Sequence, residues 1–572
     1  MNPIKHFLII ATSLLTLSCA NVDRAAALSC EEAAIRVGRS PVPGTTLRFT
    51  SSSTQPASDT MARHCLIEGA MNERISAVDG RPYAIKFRMR LPGNWNEKFY
   101  MAGGGGSNGT LGDATGPIVG FVSALARGYA VIVTDSGHDN AVNTDPARGG
   151  ASAFGMDPQA RLDFGYNSYD VVTQLGKSLT TAYYARAPSH SYFVGCSEGG
   201  REAMLLAQRF PTHYDGIVAG CPAMSTPVVA GYSSLLAQSF APLALAAGFF
   251  DPAVPTRPLV NKVFTDADWQ LFANAILKAC DAQDGLADGM VNNFAACTDA
   301  VVFPQFDAIT CSGAKTPACV TPAQVGALRA TFVGPKTSTG VALYPGVPWD
   351  PGIGGINGTT FNQGFRSWWM GTYNSPTNDS ILMTLRAPQH SMVYSTPPIP
   401  LTVAQNFDFE LNFNRDDVLP NVARTTSVYT RSALDFAMAT SSDLSAFRRN
   451  SGKLIMYSGL ADPAVSPIET MGYYEKVNQA QGGSAAEFVR LFLIPGMNHG
   501  AGGPATDRFD ALSALEAWVE RGVAPDSILA AASNPGYFGV ASRTRPLCPY
   551  PGWAHFNGSG DINVASNFTC KN

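Results

Sequence analysis

The sequence predicts an α/β fold: a largely parallel sheet with helices on its faces, split by one large insertion. Three observations carry this. Short apolar strands alternate with helix-spaced apolar residues from about residue 84 to residue 219. The alternation stops from about Met224 to Phe447, and it resumes at Lys453.

The elements follow in order. From Ala84 to Leu91, Ile85, Phe87, Met89 and Leu91 face one way and Lys86, Arg88 and Arg90 the other, the period of a half-buried strand. Residues 99–102 form a short apolar strand running into Gly103-Gly104-Gly105-Gly106, and residues 129–134 form another. Val171, Val172, Leu175, Leu179 and Tyr183 recur at helical spacing. A strand at 191–194, a helix at 202–210 and a strand at 216–219 come next. The following stretch is rich in Pro, Gly, Asn, Trp and Thr, and it is too long for a loop, so it reads as an inserted domain. After it come strands at 454–457 and 488–494. A helix at 507–519 turns Phe509, Leu512, Leu515 and Val519 inward. The expected organisation is a leader (1–27), the first part of the core (28–223), an inserted domain (224–448) and the second part of the core (449–572).

Composition narrows the function. Forty Lys and Arg against 44 Asp and Glu leave a formal charge of −4, with no basic run longer than two residues. That pattern is no footprint for nucleic acid or an anionic membrane, and it favours a small ligand. Lys5 and His6 precede an apolar run to Leu17, which reads as a secretory signal. Two processing points fit: a lipobox-like Thr16-Leu17-Ser18-Cys19, giving a lipid anchor at Cys19, and Ala25-Ala26-Ala27 for ordinary secretion. No later run of 18 or more apolar residues stands out, so no transmembrane segment is expected. Ten further cysteines and no C-x-x-C pair suggest disulfides in an oxidising compartment, periplasmic or extracellular. Short loops suit Cys280–Cys297, Cys311–Cys319 and Cys548–Cys570.

Gly195-Cys196-Ser197-Glu198-Gly199 matches G-x-S-x-G between a predicted strand and a predicted helix, the context of a nucleophile elbow in an α/β-hydrolase. A serine at neutral pH needs a base and a carboxylate to orient that base, in chain order Ser, acid, His. Of the four later histidines, His213 precedes the returning strands and reads as a surface residue, His390 lies in the insertion, and His555 lies near the end. His499 follows the 488–494 strand and is the candidate base; Asp462, just past the 454–457 strand, is the candidate acid. The oxyanion donors expected are the backbone amides of Glu198 and Gly104. The Glu198 side chain either pairs with Arg201 or faces solvent.

Asp281, Asp284 and Asp288 fall within eight residues, among glycines that break a helix. Their mutual repulsion suits a hard cation, with the Leu286 and Met290 carbonyls completing a calcium site. The spacing is not that of an EF-hand, and an exposed acidic turn is the plain alternative. Nothing places the loop beside Ser197, so the calcium would be structural.

Elbow, late Asp and His, and the Cys-bracketed acidic loop together resemble the tannase/feruloyl esterase family over most of residues 28–572. Within it, Gly195-Cys196-Ser197-Glu198-Gly199-Gly200-Arg201 looks like a bacterial branch acting on terephthalate monoesters. The resemblance implies Ser197, Asp462 and His499 as triad, Gly104 and Glu198 as oxyanion donors, and calcium in the acidic loop. It also implies the bridges Cys30–Cys65, Cys280–Cys297, Cys311–Cys319 and Cys548–Cys570, and a lid formed by the insertion. Relatives often carry a cysteine after the catalytic histidine; here that place is Gly500, which leaves Cys196 to pair with Cys221. For an aromatic acyl group, Trp349, Trp368, Trp369, Tyr373 and Tyr394 are stacking candidates, Trp369 foremost. Arg386 is the candidate for a substrate carboxylate, and Val465 for lining a roomy pocket. The expected function is a secreted serine esterase of aromatic carboxylic esters, whether terephthalate monoester, feruloyl or galloyl. The rivals are a catalytically silent, calcium-stabilised binding protein and another acyl hydrolase.

Overall fold

A computed structural model describes residues 29–118, 121–354 and 364–572. The predicted leader, with Cys19 and the alanine cleavage site, lies outside the described residues.

The central sheet has nine strands. They are β1 (Leu47–Gln55), β2 (His64–Ile75), β3 (Pro82–Pro92), β4 (Lys98–Ala102), β5 (Ala130–Thr134), β6 (His190–Cys196), β7 (Gly216–Gly220), β8 (Lys453–Gly459) and β9 (Val489–Ile494). They stand in the order β1-β2-β3-β5-β4-β6-β7-β8-β9. The half from β4 to β9 is parallel, and β1, β2, β3 and β5 pair antiparallel. β3 obeys its period of two: Ile85, Phe87, Met89 and Leu91 are buried, and the basic residues between them are half-buried. The sequence reading passed over β1 and β2. β1 is an edge strand of Ser, Thr and Arg whose apolar content is too low to stand out.

The helices that matter here are α1 (Cys30–Val37), α2 (Ser168–Tyr184), α3 (Glu198–Arg209), α4 (Thr226–Ala246), α5 (Asp266–Cys280) and α6 (Ala511–Arg521). Two differ from expectation. α3 starts at Glu198 rather than 202, because Gly199 and Gly200 are helical despite their poor propensity. α6 starts at Ala511: Asp510 caps it by accepting from the Ser513 amide, and Phe509 pairs with Ala530 in a small separate sheet instead of turning inward on the helix. Leu512, Leu515 and Trp518 make its buried face, while Val519 is half-buried.

Between β7 and β8, no described residue joins the central sheet. This stretch builds its own aromatic core, in which Phe332 stacks on Trp349 at 4.1 Å and meets Trp369 and Phe365. α4 is long and apolar enough to cross a membrane (mean hydropathy 1.4), which the sequence reading did not register. Yet 71% of that window is buried inside the protein, as in a core helix. One apolar cluster joins the insertion to Phe154 and Phe164 of the first half and to Ala461, Ala464 and Val465 of the second. The insertion therefore packs on the segments that follow β5 and β8.

Five disulfides close the chain: Cys30–Cys65, Cys196–Cys221, Cys280–Cys297, Cys311–Cys319 and Cys548–Cys570. The first ties α1 to β2. So many bridges belong to an oxidising compartment, extracellular or periplasmic.

Candidate active site

β6 carries Tyr192, Phe193 and Val194 through the sheet, and α3 leaves at once on its far side. The turn between them is so tight that Ser197 takes φ +64° and ψ −118°. A side chain there costs on the order of 1–3 kcal/mol and persists only when neighbours hold it. They do: the Ser197 amide donates to the Gly220 carbonyl at 3.0 Å, and its carbonyl accepts from the amides of Arg201 (3.0 Å) and Ala223 (3.1 Å). Gly199 has no alternative, since a Cβ there would stand 2.8 Å from the Gly104 carbonyl oxygen.

His499 Nε2 lies 2.9 Å from Ser197 Oγ. Its Nδ1 lies 2.9 Å and 3.0 Å from Oδ2 and Oδ1 of Asp462. Asp462 is fully buried, and its Oδ1 also accepts the amides of Ala464 (2.8 Å) and Val465 (2.9 Å). The acid sits just past β8 and the base just past β9, with the elbow past β6. Three residues far apart in the chain thus meet at one edge of the sheet. The other histidines are engaged elsewhere. His213 is mostly buried and bonds Asp170 at 2.7 Å, so it is not the surface residue expected. His390 is buried against Glu410, and the His555 ring lies by Gly285.

Residues that no motif marked support these loops. Asp350, from the insertion, accepts the amides of Gly352 (2.7 Å) and Gly496 (3.0 Å). Asn498 donates from Nδ2 to the carbonyls of Gly352 (3.1 Å) and Ala461 (3.2 Å). Burial pushes the Asp350 carboxyl up to about 6. The insertion thereby locks the acid loop to the base loop.

The expected oxyanion donors differ in state. Glu198 opens α3, so its amide has no acceptor within the helix. The Gly104 amide is not idle: it donates to Oε2 of Glu202 at 3.1 Å, one helical turn past Glu198. The Glu198 side chain is buried, with Arg201 Nε donating to it at 2.9 Å, so it does not face solvent. Cys196 and Cys221 flank the site. The Cys221 sulfur lies within 4.8 Å of ligand atoms of Asp462 and His499, and a Cβ on Gly500 would stand 3.1 Å from the Cys196 sulfur.

Of the aromatic candidates, the structure sets Trp368 against the base, ring to ring at 4.9 Å, edge to face. Trp369 turns away into the insertion core and donates from Nε1 to the Pro463 carbonyl at 2.9 Å. Neighbours on a helical turn point some 100° apart, and sequence does not say which of two adjacent tryptophans faces the site. Trp349 stacks on Phe332, Tyr373 packs under Arg366, and Tyr394 is buried. Val465 is buried in the joining cluster and touches the site through its amide. Arg386 is 5% exposed; Nη1 donates to Oε1 of Gln389 at 3.2 Å, and Nε has no partner. Gln389 Nε2 in turn donates to the Gly106 carbonyl (3.2 Å) and to Ser107 Oγ (3.0 Å). This segment therefore lies over the glycine loop.

The acidic loop sits between α5 and the C-terminal strands. Asp281 accepts the amides of Asp288 and Gly289, and Asp284 accepts the Leu286 amide and both nitrogens of Asn292. Asp288 bonds Arg545, an ion pair absent from the sequence reading. Burial, aided by the charge on Asp288, raises the carboxyls of Asp281 and Asp284, the latter to about 6. Neither has an ion pair with a basic side chain among the described residues. The donors are all oxygen, the kind a hard divalent cation takes, while Asp288 already holds Arg545.

The fold and this site define a carboxylic ester hydrolase on an α/β-hydrolase scaffold. The chain belongs to the tannase and feruloyl esterase family, whose sequence model matches residues 69–571. It is 50% identical over 524 residues to the mono(2-hydroxyethyl) terephthalate hydrolase of Piscinibacter sakaiensis, spanning 89% of this chain and 85% of that one. Among solved structures, feruloyl esterase B from Aspergillus oryzae is similar with a TM-score of 0.69 at 23% identity, over 95% of this chain and 99% of that one. Tannin acyl hydrolase from Aspergillus niger follows at 0.60 and 19%, over 94% of each chain. These two likenesses concern the fold.

Proposed function

We propose that this enzyme hydrolyses monoesters of aromatic dicarboxylic acids through an acyl-enzyme on Ser197. The observation that carries the reading is the continuous Ser197–His499–Asp462 line on a strained elbow. His499 Nε2 takes the Ser197 proton as Oγ attacks the ester carbonyl, forming the C–O bond. Asp462 holds the Nδ1–H and stabilises the imidazolium. The tetrahedral oxyanion rests on the amides of Glu198 and Gly104. Collapse expels the alcohol, which takes its proton from His499. Water, deprotonated by the same nitrogen, then releases the acid and restores Ser197. A silent binding protein would have no use for this line.

The free carboxylate of the monoester falls to Arg386, a buried cation with an uncommitted N–H close to the glycine loop. Support for this substrate class comes from the half-identical relative, named for hydrolysis of mono(2-hydroxyethyl) terephthalate. A panel of monomethyl and dimethyl terephthalate, methyl ferulate and methyl gallate tests it. The monoester should give the highest kcat/KM, and a fluorophosphonate probe should label Ser197. A ferulate or gallate preference would overturn the substrate class, and an unlabelled Ser197 would overturn the mechanism.

Calcium in this reading is structural, held by Asp281, Asp284 and Asp288 with the Leu286 and Met290 carbonyls. Because Cys280–Cys297 closes the loop, the ion joins the insertion to the C-terminal strands through the Asp288–Arg545 contact. Chelation should lower Tm by about 5 °C or more, restored by added calcium and not by magnesium. A Tm unmoved by a strong chelator would remove the ion. Export by the leader, with lipidation at Cys19 or cleavage after Ala27, completes the reading; mass spectrometry of the mature N-terminus distinguishes the two.

A further inference from the structure

One buried carboxyl beside the elbow has no role in the mechanism above. Glu202 is 1% exposed, one turn along α3 from Glu198. Its Oε2 accepts the Gly104 amide at 3.1 Å, and its Oε1 accepts Asn108 Nδ2 at 2.9 Å. Asn108 Oδ1 in turn accepts the Gly105 amide at 2.8 Å, while its Nδ2 also approaches Ser136 Oγ (2.8 Å) and Tyr169 Oη (3.1 Å). From the other side, the Gly104 carbonyl accepts the Gly199 amide at 3.1 Å. Both backbone polar groups of Gly104 are thus bound to α3, the carbonyl by the Gly199 amide and the amide by this carboxyl. A Cβ on Gly104 would collide with Asn108 Oδ1 at 2.0 Å, so the loop is glycine because the network lies against it.

We propose that Glu202 is a positioning residue for the oxyanion loop, its side-chain oxygens holding the Gly104 amide and Asn108 so that the loop keeps its place in the resting enzyme and the Gly104 N–H is shared with the oxyanion as that charge forms. This rests on the esterase reading of the same site. What the role needs is an oxygen acceptor, not a charge. An ionised carboxylate sharing one amide hydrogen with an oxyanion would set two like charges a few ångströms apart, and they repel. The surroundings agree. Arg201, the nearest cation, spends its donors on Glu198 and on the carbonyls of Gly165 and Phe164. The remaining groups that face Glu202 are the charged Glu198 and the phenols of Tyr169 and Tyr214. Burial first, then Glu198, pushes its carboxyl up to about 7, so a neutral form is within reach at ordinary pH.

The test compares Glu202→Ala and Glu202→Gln with the native enzyme, measuring kcat and KM on an aromatic ester that the native enzyme cleaves. Alanine leaves the Gly104 amide unpaired and should lower kcat about 10- to 100-fold with KM changed less than about threefold. Glutamine keeps an oxygen for that amide but turns its NH₂ toward Asn108 Nδ2, so it should recover kcat in part, to at least about threefold above the alanine variant. Native kcat in Glu202→Ala, a loss carried by KM, or a glutamine variant as poor as alanine would each overturn the proposal. If Glu202→Ala does not fold by near-ultraviolet circular dichroism, Asn108→Ala carries the same test from the other end of the network, with the same expected kcat loss and unaltered kcat as the refuting result. Fluorophosphonate labelling of Ser197 in the native enzyme separates the two readings. Without labelling the esterase mechanism fails; with labelling and an indifferent Glu202, only this inference does.

Discussion

Asp462→Asn should lower kcat by about 10³- to 10⁴-fold, and Ser197→Ala by about 10⁵-fold or more, with KM little changed in either. The aspartate case follows from its hydrogen bonds. Oδ1 already accepts two backbone amides, from Ala464 and Val465. An asparagine must keep its oxygen there, since turning its NH₂ toward two N–H groups would leave both buried donors unmatched. Its NH₂ then faces His499 Nδ1, which has to become an acceptor. The imidazole is forced to carry its proton on Nε2, 2.9 Å from Ser197 Oγ, and can no longer take another. Shape survives and the base is lost. Because the residues act as a unit, adding Asp462→Asn to Ser197→Ala should cost almost nothing more. Initial rates at high enzyme concentration, set against the enzyme-free rate, measure this for the single and double variants. If Asp462→Asn kept more than a tenth of native kcat, the assignment of acid and base would not stand.

How far the site could be read in advance depended on how local its determinants are. The elbow is local: a strand, a serine in a forbidden turn, and glycines required by close approach all fall within a few residues. The acid and base are nearly so, since each follows a strand end and the chain order is fixed by the topology. Asp350 and Asn498 are the opposite case. Their work is to bind backbone groups 146 residues distant, and no spacing marks that. Glu202 lay in plain view on α3, but its partner is a loop after another strand, and a glutamate one turn into a helix reads as a solvated face. The tryptophan pair failed for a third reason. Both residues are buried, so hydrophobicity ranks them equally, and only the rotation of the helical turn Arg366–Met370 decides that Trp368 meets the base. The sheet was legible where apolar residues run together or alternate cleanly, as in β6 and β3, and illegible at β1, an edge strand with half-exposed polar residues, and at β2, whose apolar residues are broken up by Glu68, Gly69 and Asn72.

Replacing Arg386 by methionine should separate substrates by charge. Methionine keeps most of the stem's packing and removes the guanidinium. A carboxylate paired with a buried arginine is desolvated on both sides, and truncating one partner of such a pair costs about 2–5 kcal/mol. Taking the middle of that range, kcat/KM for monomethyl terephthalate should fall at least about 100-fold, since each 1.4 kcal/mol is tenfold. Dimethyl terephthalate, which has no charge to place there, should change by less than about threefold. The ratio of the two is the decisive quantity, because a general loss of folding or of lid packing lowers both together. Gln389 sharpens the comparison. It bonds Arg386 and the glycine loop at once, so Gln389→Ala should weaken the monoester through Arg386 and also disturb the neutral ester through the Gly106 carbonyl. A methionine variant that lost both esters equally would show that Arg386 braces the lid, and a variant that lost neither would leave the substrate's carboxylate to some other group.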